Sequence, residues 1–297
     1  MQVTYRYKKT IMNKWIYIVL LVGLFAISTS PIIAKLLPVV PAVAIAFWRM
    51  ATASSILWAY SLIKPQPQIK EGNIKLVFFA GFLMAMHFIF WFGALKLTSI
   101  ASTTILGIVA PAFTLIFERF YYKRELSWAT IFALFIIFIG CLVVQINDIE
   151  NVGGAALGNI MAIVSAIFLG GLFLLGSIIR KTTPVISYTR MLFSVSAIVL
   201  LIVSFVLHSP LLGYSNIDYF WLLMLGLVPT LIGHTAFSYS VKFISPSVIA
   251  AIPLGEPIIA SGLAWLLFSE KVSFNVAVGG IFIGIGLILL IKNNTEK

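Results

Sequence analysis

Residues 99–111 read SIASTTILGIVAP and residues 245–257 read SPSVIAAIPLGEP. Both stretches open on serine, close on proline and are apolar between. The shift that lays Ser99 on Ser245 also lays Lys96 on Lys242, Pro111 on Pro257, Ser127 on Ser273 and Gly140 on Gly286. Glu125 and Glu270 match with a slip of one residue, and Arg49-Met50 matches Arg190-Met191 at a slightly shorter shift. The chain is therefore two related halves in tandem.

Those stretches lie in a chain of 297 residues that is 61% hydrophobic and 10% charged. Soluble domains average roughly 45–50% and about 25%, so this chain cannot cover a water-facing surface. A soluble enzyme, a disordered regulator and a nucleic-acid-binding module are excluded. The net charge of +11 sits in short loops between apolar runs, which speaks of membrane orientation rather than of nucleic acid. The single cysteine, Cys141, lies inside an apolar run, so neither a disulfide framework nor a cysteine metal site can form.

A membrane-crossing helix needs about 20 mostly apolar residues. Ten runs meet this, at 15–36, 42–63, 74–94, 100–120, 128–146, 156–179, 185–207, 219–239, 248–268 and 275–291. They are called spans one to ten. The expected fold is an all-α integral membrane protein, ten helices in two five-helix repeats (15–147 and 156–292) around a central cavity, after a cytoplasmic tail (1–14). The first run is too long for a cleaved signal peptide. With the N-terminus inside, fifteen Lys and Arg fall on the cytoplasmic side against three outside, and Arg49 and Arg190 lie within spans. The bias places both termini in the cytoplasm of a cell-membrane protein. Five spans per half is odd, so the halves insert in opposite senses. Inverted repeats typify secondary transporters, which expose one central site alternately to each face.

The segments Ala110-Pro111 to Arg124-Glu125, Glu256-Pro257 to Ser269-Glu270-Lys271, and Phe47-Trp48-Arg49 resemble the EamA-type branch of the drug/metabolite transporter superfamily. The resemblance implies a ten-helix bundle around a cavity. It implies export or exchange of small metabolites, often amino acids, driven by protons or a counter-substrate. The second-half counterpart of Trp48-Arg49 is Thr189-Arg190, so the role of Trp48 is not duplicated.

Glu256 lies midway along span nine. A carboxylate at that depth is costly unless protonated, paired or hydrated, which makes it the candidate proton coupler and a substrate contact. Pro253 and Pro257 flank it and predict a bend or unwound turn; with Pro111 they are the candidate hinges. His87 and His234 occupy nearly equivalent mid-helix positions and are candidate substrate contacts or proton relays. Trp91 lies one turn after His87 on the same face. Arg49 and Arg190 lie about 10 Å inside spans two and seven. They either snorkel to the interface or dock anionic substrates at a cavity mouth. With Trp48 these complete the candidate substrate-binding set. The aromatic run of span three, Phe78 to Phe92, is expected mostly to face lipid. Ser28, Ser30, Ser102, Thr103 and Thr104 either line a polar cavity or bond their own helices. Gly279-Gly280, Gly284 and Gly286 place a small face on span ten, with a Gly-x-x-x-Gly at Gly280 and Gly284, which predicts close helix packing there.

A membrane-embedded enzyme would need paired acids or a histidine cluster, and neither is present; no Walker-type lysine supports an ATPase. The chain is expected to need no cofactor, metal or nucleic acid, and to have a small-molecule substrate and membrane lipid as partners. A homodimer stays open. The alternative function is a lipid or lipid-linked-sugar flippase of the same superfamily.

Overall fold

A computed structural model describes residues 14–98, 103, 106–123, 127–144, 156–268 and 274–295. The described residues form helices and no strand, as a chain must when lipid cannot satisfy its backbone polar groups. The first three helices are α1 (Lys14–Lys35), α2 (Ala42–Ile63) and α3 (Glu71–Leu97). Two shorter ones follow, α4 (Val109–Tyr121) and α5 (Trp128–Val144), then α6 (Ala156–Ile179) and α7 (Val185–Val206). Span eight divides into α8 (Asn216–Leu225), a π-helical stretch (Gly226–His234) and α9 (Thr235–Ser240). Span nine divides into α10 (Pro246–Ala251), a 3-10 turn (Ile252–Gly255) and α11 (Glu256–Phe268), and α12 (Phe274–Thr295) ends the chain's helices. Eight helical stretches are long and apolar enough to cross a membrane by length and composition, and Trp128–Val144 is apolar but shorter.

The interruptions have local causes. Pro253 lies in the 3-10 turn of span nine and Pro257 just after it; each lacks a backbone donor and crowds the carbonyl one turn back. Pro229 does the same inside the π stretch, where the Thr230 hydroxyl donates to the Leu225 carbonyl at 2.8 Å. Pro31 also lies inside a helix, α1, whereas several other prolines sit where they cost nothing. Pro41 and Pro184 cap α2 and α7, and Pro246 opens α10. Pro111 stands in the first turn of α4, just after the turn at Gly107 and Ile108.

Packing corrects two expectations. Phe78, Phe79 and Phe82 are exposed, but Phe88 and Phe92 are buried in the core. Of the small face expected on α12, the part that meets α5 is Gly279 and Gly286 rather than the Gly280–Gly284 pair. A Cβ on Gly284 would meet nothing within 4 Å. It is Gly279 that lies against Gly140, where a Cβ would stand 2.5 Å from the Gly140 carbonyl oxygen, and Gly286 that lies against Ile137. The sequence offers both glycine faces, and only the neighbour selects one. Gly140→Ala is therefore expected to destabilise the fold by about 1–3 kcal/mol. Gly284→Ala should raise the melting temperature slightly, because alanine favours helix by up to about 1 kcal/mol. Thermal melts of the two purified variants check the opposite signs.

Two apolar cores result. One joins α2, α3, α7 and α8; the other joins α1, α5, α9, α10 and α12. Polar ties close the helix ends. The Asn73 amide donates to the Thr182 and Thr183 hydroxyls. Arg180 Nε donates to the Ser238 carbonyl at 2.9 Å, its Nη1 donates to the Thr183 carbonyl, and burial lowers its pKa from the usual value.

Candidate functional site

Between the two cores lies a cavity of about 80 Å³, lined among others by Arg49, His87, Trp91, His234, Pro253 and Glu256. These residues come from α2, α3, the π stretch and the broken region of span nine. Regular helices would leave polar mid-helix side chains to chance. The π stretch and the 3-10 turn rotate their helices so that His234 and Glu256 reach one wall.

Arg49 is 1% exposed. Its Nε donates to Thr230 Oγ1 at 2.9 Å and its Nη1 to Ser30 Oγ at 3.2 Å. The guanidinium lies over the Phe88 ring at 4.1 Å and near the Phe92 ring at 5.5 Å. The expectation of a snorkelling arginine, or of a charge at a cavity mouth, is overturned for Arg49. It is held deep inside by two hydroxyls and two rings, with no carboxylate among these partners. Thr230 serves twice, accepting from Arg49 while donating to Leu225. The π turn thus fixes the arginine.

His87 Nδ1 stands 2.8 Å from Ser165 Oγ and 3.1 Å from the Ser165 carbonyl. The Ser165 hydroxyl donates to the His87 carbonyl at 3.0 Å, and the Ser165 carbonyl can only accept, so Nδ1 of His87 donates to it. His234 stands edge-on to Phe88, with centroids 5.2 Å apart. Phe88 therefore touches both histidines and the arginine. Trp91 stacks edge-on against Phe92 at 4.8 Å. Glu256 opens α11 and shares the cavity wall with Arg49.

Two predicted contacts lie elsewhere. Trp48 donates from Nε1 to the Leu211 carbonyl at 2.8 Å and packs on Tyr219 at 5.6 Å; it ties α2 to the connection before α8. Arg190 lies over Trp58 at 4.1 Å, and its Nε is buried without a hydrogen-bond partner. Neither belongs to the lining of this cavity. Pro253 is on the wall; Pro111 and Pro257 shape the helices beside it.

Of the five hydroxyl candidates, Ser30 and Thr103 line the cavity. Ser28 bonds its own helix at Leu24, and Ser102 and Thr104 fall outside the described residues. Sequence reasoning missed Phe88, Ser165 and Thr230. Thr230 had a signal, a hydroxyl directly after the mid-helix Pro229. Phe88 had none, since it is one of many aromatics in α3. Among the described residues no group of three or more His, Cys, Asp or Glu could hold a metal ion.

Comparisons with known proteins agree with this architecture. A crystal structure of a protein aligns with TM-score 0.77 at 14% identity, covering 96% of this chain and 99% of that one. The uncharacterized transporter YwfM of Bacillus subtilis (strain 168) is 28% identical over 254 residues, 82% of each chain. The pseudopaline exporter CntI of Pseudomonas aeruginosa (strain UCBPP-PA14) is 22% identical over 261 residues, 86% of this chain and 88% of the exporter. The profile of the EamA-like transporter family matches residues 13–146 and again 156–292. Two matches that span nearly all of a helical, membrane-crossing chain leave one assignment: it belongs to the EamA-like transporter family.

Proposed function

We propose that this chain is a secondary-active exporter or exchanger of small metabolites, amino acids or related zwitterions. It works by alternating access of the central cavity and is coupled to protons or a counter-substrate. The observation that carries the reading is one cavity wall holding a buried guanidinium, two imidazoles and a carboxyl group together. Arg49 is bonded only to neutral hydroxyls and rings, which suits it to receive a substrate carboxylate bidentately. Glu256 suits an amine or a travelling proton. Trp91 and Phe88 suit the apolar part. One relative, CntI, is named an exporter.

In this reading ten spans form two inverted repeats, with both termini in the cytoplasm. The packing supports it, because α2 pairs with α7, α5 with α12 and α4 with α10. Each of these joins a helix to its own counterpart, as a two-fold axis in the membrane plane requires. A C-terminal reporter active only in the cytoplasm is the expected outcome; a signal on the outer side would refute the ten-span topology.

The test of function is a thermal-shift screen of the purified protein at pH 5.5 and 7.5 against amino acids, nucleosides, sugars and lipid-linked sugars. A ligand bound only to the folded state at a hundred times its Kd stabilises by about 2.7 kcal/mol. A shift with an amino acid, lost in Glu256→Gln, is the expected result. Shifts confined to lipid-linked sugars would instead establish the flippase.

A further inference from the structure

We infer that Glu118 latches the cytoplasmic gate of the cavity through Ser247, so that the chain rests closed to the inside. The inference rests on the alternating-access reading above. Glu118 is 2% exposed and lies near the end of α4. Its carboxylate accepts from the Ser247 backbone N–H at 3.3 Å and from Ser247 Oγ at 3.2 Å. Ser247 is the second residue of α10, whose N-cap residue Ser245 supplies no side-chain cap. A carboxylate from the first half therefore satisfies donors at a helix start in the second half, where negative charge is also favoured by the helix dipole.

The placement makes this contact a gate. Gly107 and Ala250 line the cavity. Glu118 lies eleven residues beyond Gly107 along α4, about 16 Å if helical throughout, and Ser247 lies one turn before Ala250. In the proposed topology both steps lead toward the cytoplasm, so the latch closes the space beneath the cavity. It does so on the span that carries Pro253 and Glu256 into the wall. Glu118 is thus a positioning residue; it does not itself line the cavity.

The latch is also one-sided. The repeat shift that aligns Ser99 with Ser245 carries Glu118 onto Ala264, and in reverse carries Ser247 onto Ala101. At this shift the second half lacks the carboxylate and the first half lacks the hydroxyl that an equivalent outer latch would need. Bonds made in only one of two states shift the equilibrium toward that state.

The experiment uses the full chain with Cys141→Ser as parent. Ala250→Cys and, separately, Ala162→Cys each place a thiol on the cavity wall. A membrane-impermeant maleimide is added to inside-out vesicles for position 250 and to right-side-out vesicles for position 162. Adding Glu118→Ala or Ser247→Ala is expected to speed inner labelling by about tenfold, the factor one hydrogen bond to a charged group carries, and to slow outer labelling. Glu118→Gln, which keeps one acceptor oxygen, should restore part of the slow inner rate. A merely loosened fold would speed labelling from both sides, and that result, or unchanged inner labelling, overturns the latch. If the parent thiols are reached from neither face, alternating access fails, and the latch with it.

Discussion

Replacing Glu256 with glutamine is expected to abolish proton-coupled transport while leaving the protein inserted and folded. The substitution keeps size and hydrogen-bonding capacity and removes only the titratable proton. Glu256 faces the cavity at the start of α11, beside the turn that Pro253 and Pro257 break. Arg49, which shares the cavity wall with it, gives its hydrogen bonds to Thr230 and Ser30. Among the described residues no ion pair locks the Glu256 carboxyl, and a carboxyl free to change protonation is what coupling needs. In proteoliposomes loaded with a pH-sensitive dye, a substrate found by thermal shift should move protons through the native protein. The glutamine variant should show a loss of at least about a hundredfold, the rate equivalent of roughly 2.7 kcal/mol. Unchanged proton movement in the variant would remove Glu256 from the coupling role.

Arg49→Met is expected to move stability and function in opposite directions. The guanidinium is 1% exposed and its partners are hydroxyls and rings, not a carboxylate. Desolvating a cation costs several kcal/mol, and replacing buried charge with apolar side chains of similar volume is often neutral or stabilising by about 1–4 kcal/mol. Methionine fills most of the space over Phe88 and leaves Thr230 its bond to the Leu225 carbonyl. The melting temperature of the empty protein should therefore hold or rise, while the ligand-induced shift disappears. Arg49→Lys is the informative companion. It keeps the charge but cannot stack flat on Phe88 or reproduce the planar donor fork, so it should restore little binding. A retained ligand shift in Arg49→Met would show that the arginine serves the fold alone.

The helical, membrane-crossing character of the chain was legible in the sequence because it follows from composition and from run length, both set by the bilayer. Most described helices begin and end within a few residues of the apolar runs, as α2 and α6 show, whereas α4 starts only at Val109, after the turn at Gly107 and Ile108. The break in span nine was legible because proline has one physical effect in a helix interior. The π stretch was not, since Pro229 predicts a disturbance without saying how the register recovers. For the site, polar residues deep in apolar runs marked Arg49, His87, His234 and Glu256, and the structure gathers these four at one cavity. Arg190 and Trp48 carry the same kind of signal yet lie elsewhere. Depth along a helix can be counted from sequence, whereas the direction a side chain faces depends on neighbours in other helices. Glu118 shows the converse. It lies close enough to a span end to pass for an interfacial charge, and only the packing of α4 on α10 reveals it as buried.

Gly140 and Gly279 bring the backbones of α5 and α12 so close that no side chain separates them. A contact of that kind tolerates rotation about itself but not sliding, because any axial displacement would drive a neighbouring Cβ into a carbonyl oxygen. The pair is therefore suited to act as a fulcrum. If the two halves rock, the lever arms are the helices farthest from this contact, and a small tilt at the glycines becomes a movement of several ångströms at the opposite side of the bundle. Engineering the speed of the cycle would then begin at these two glycines, which lie outside the cavity lining.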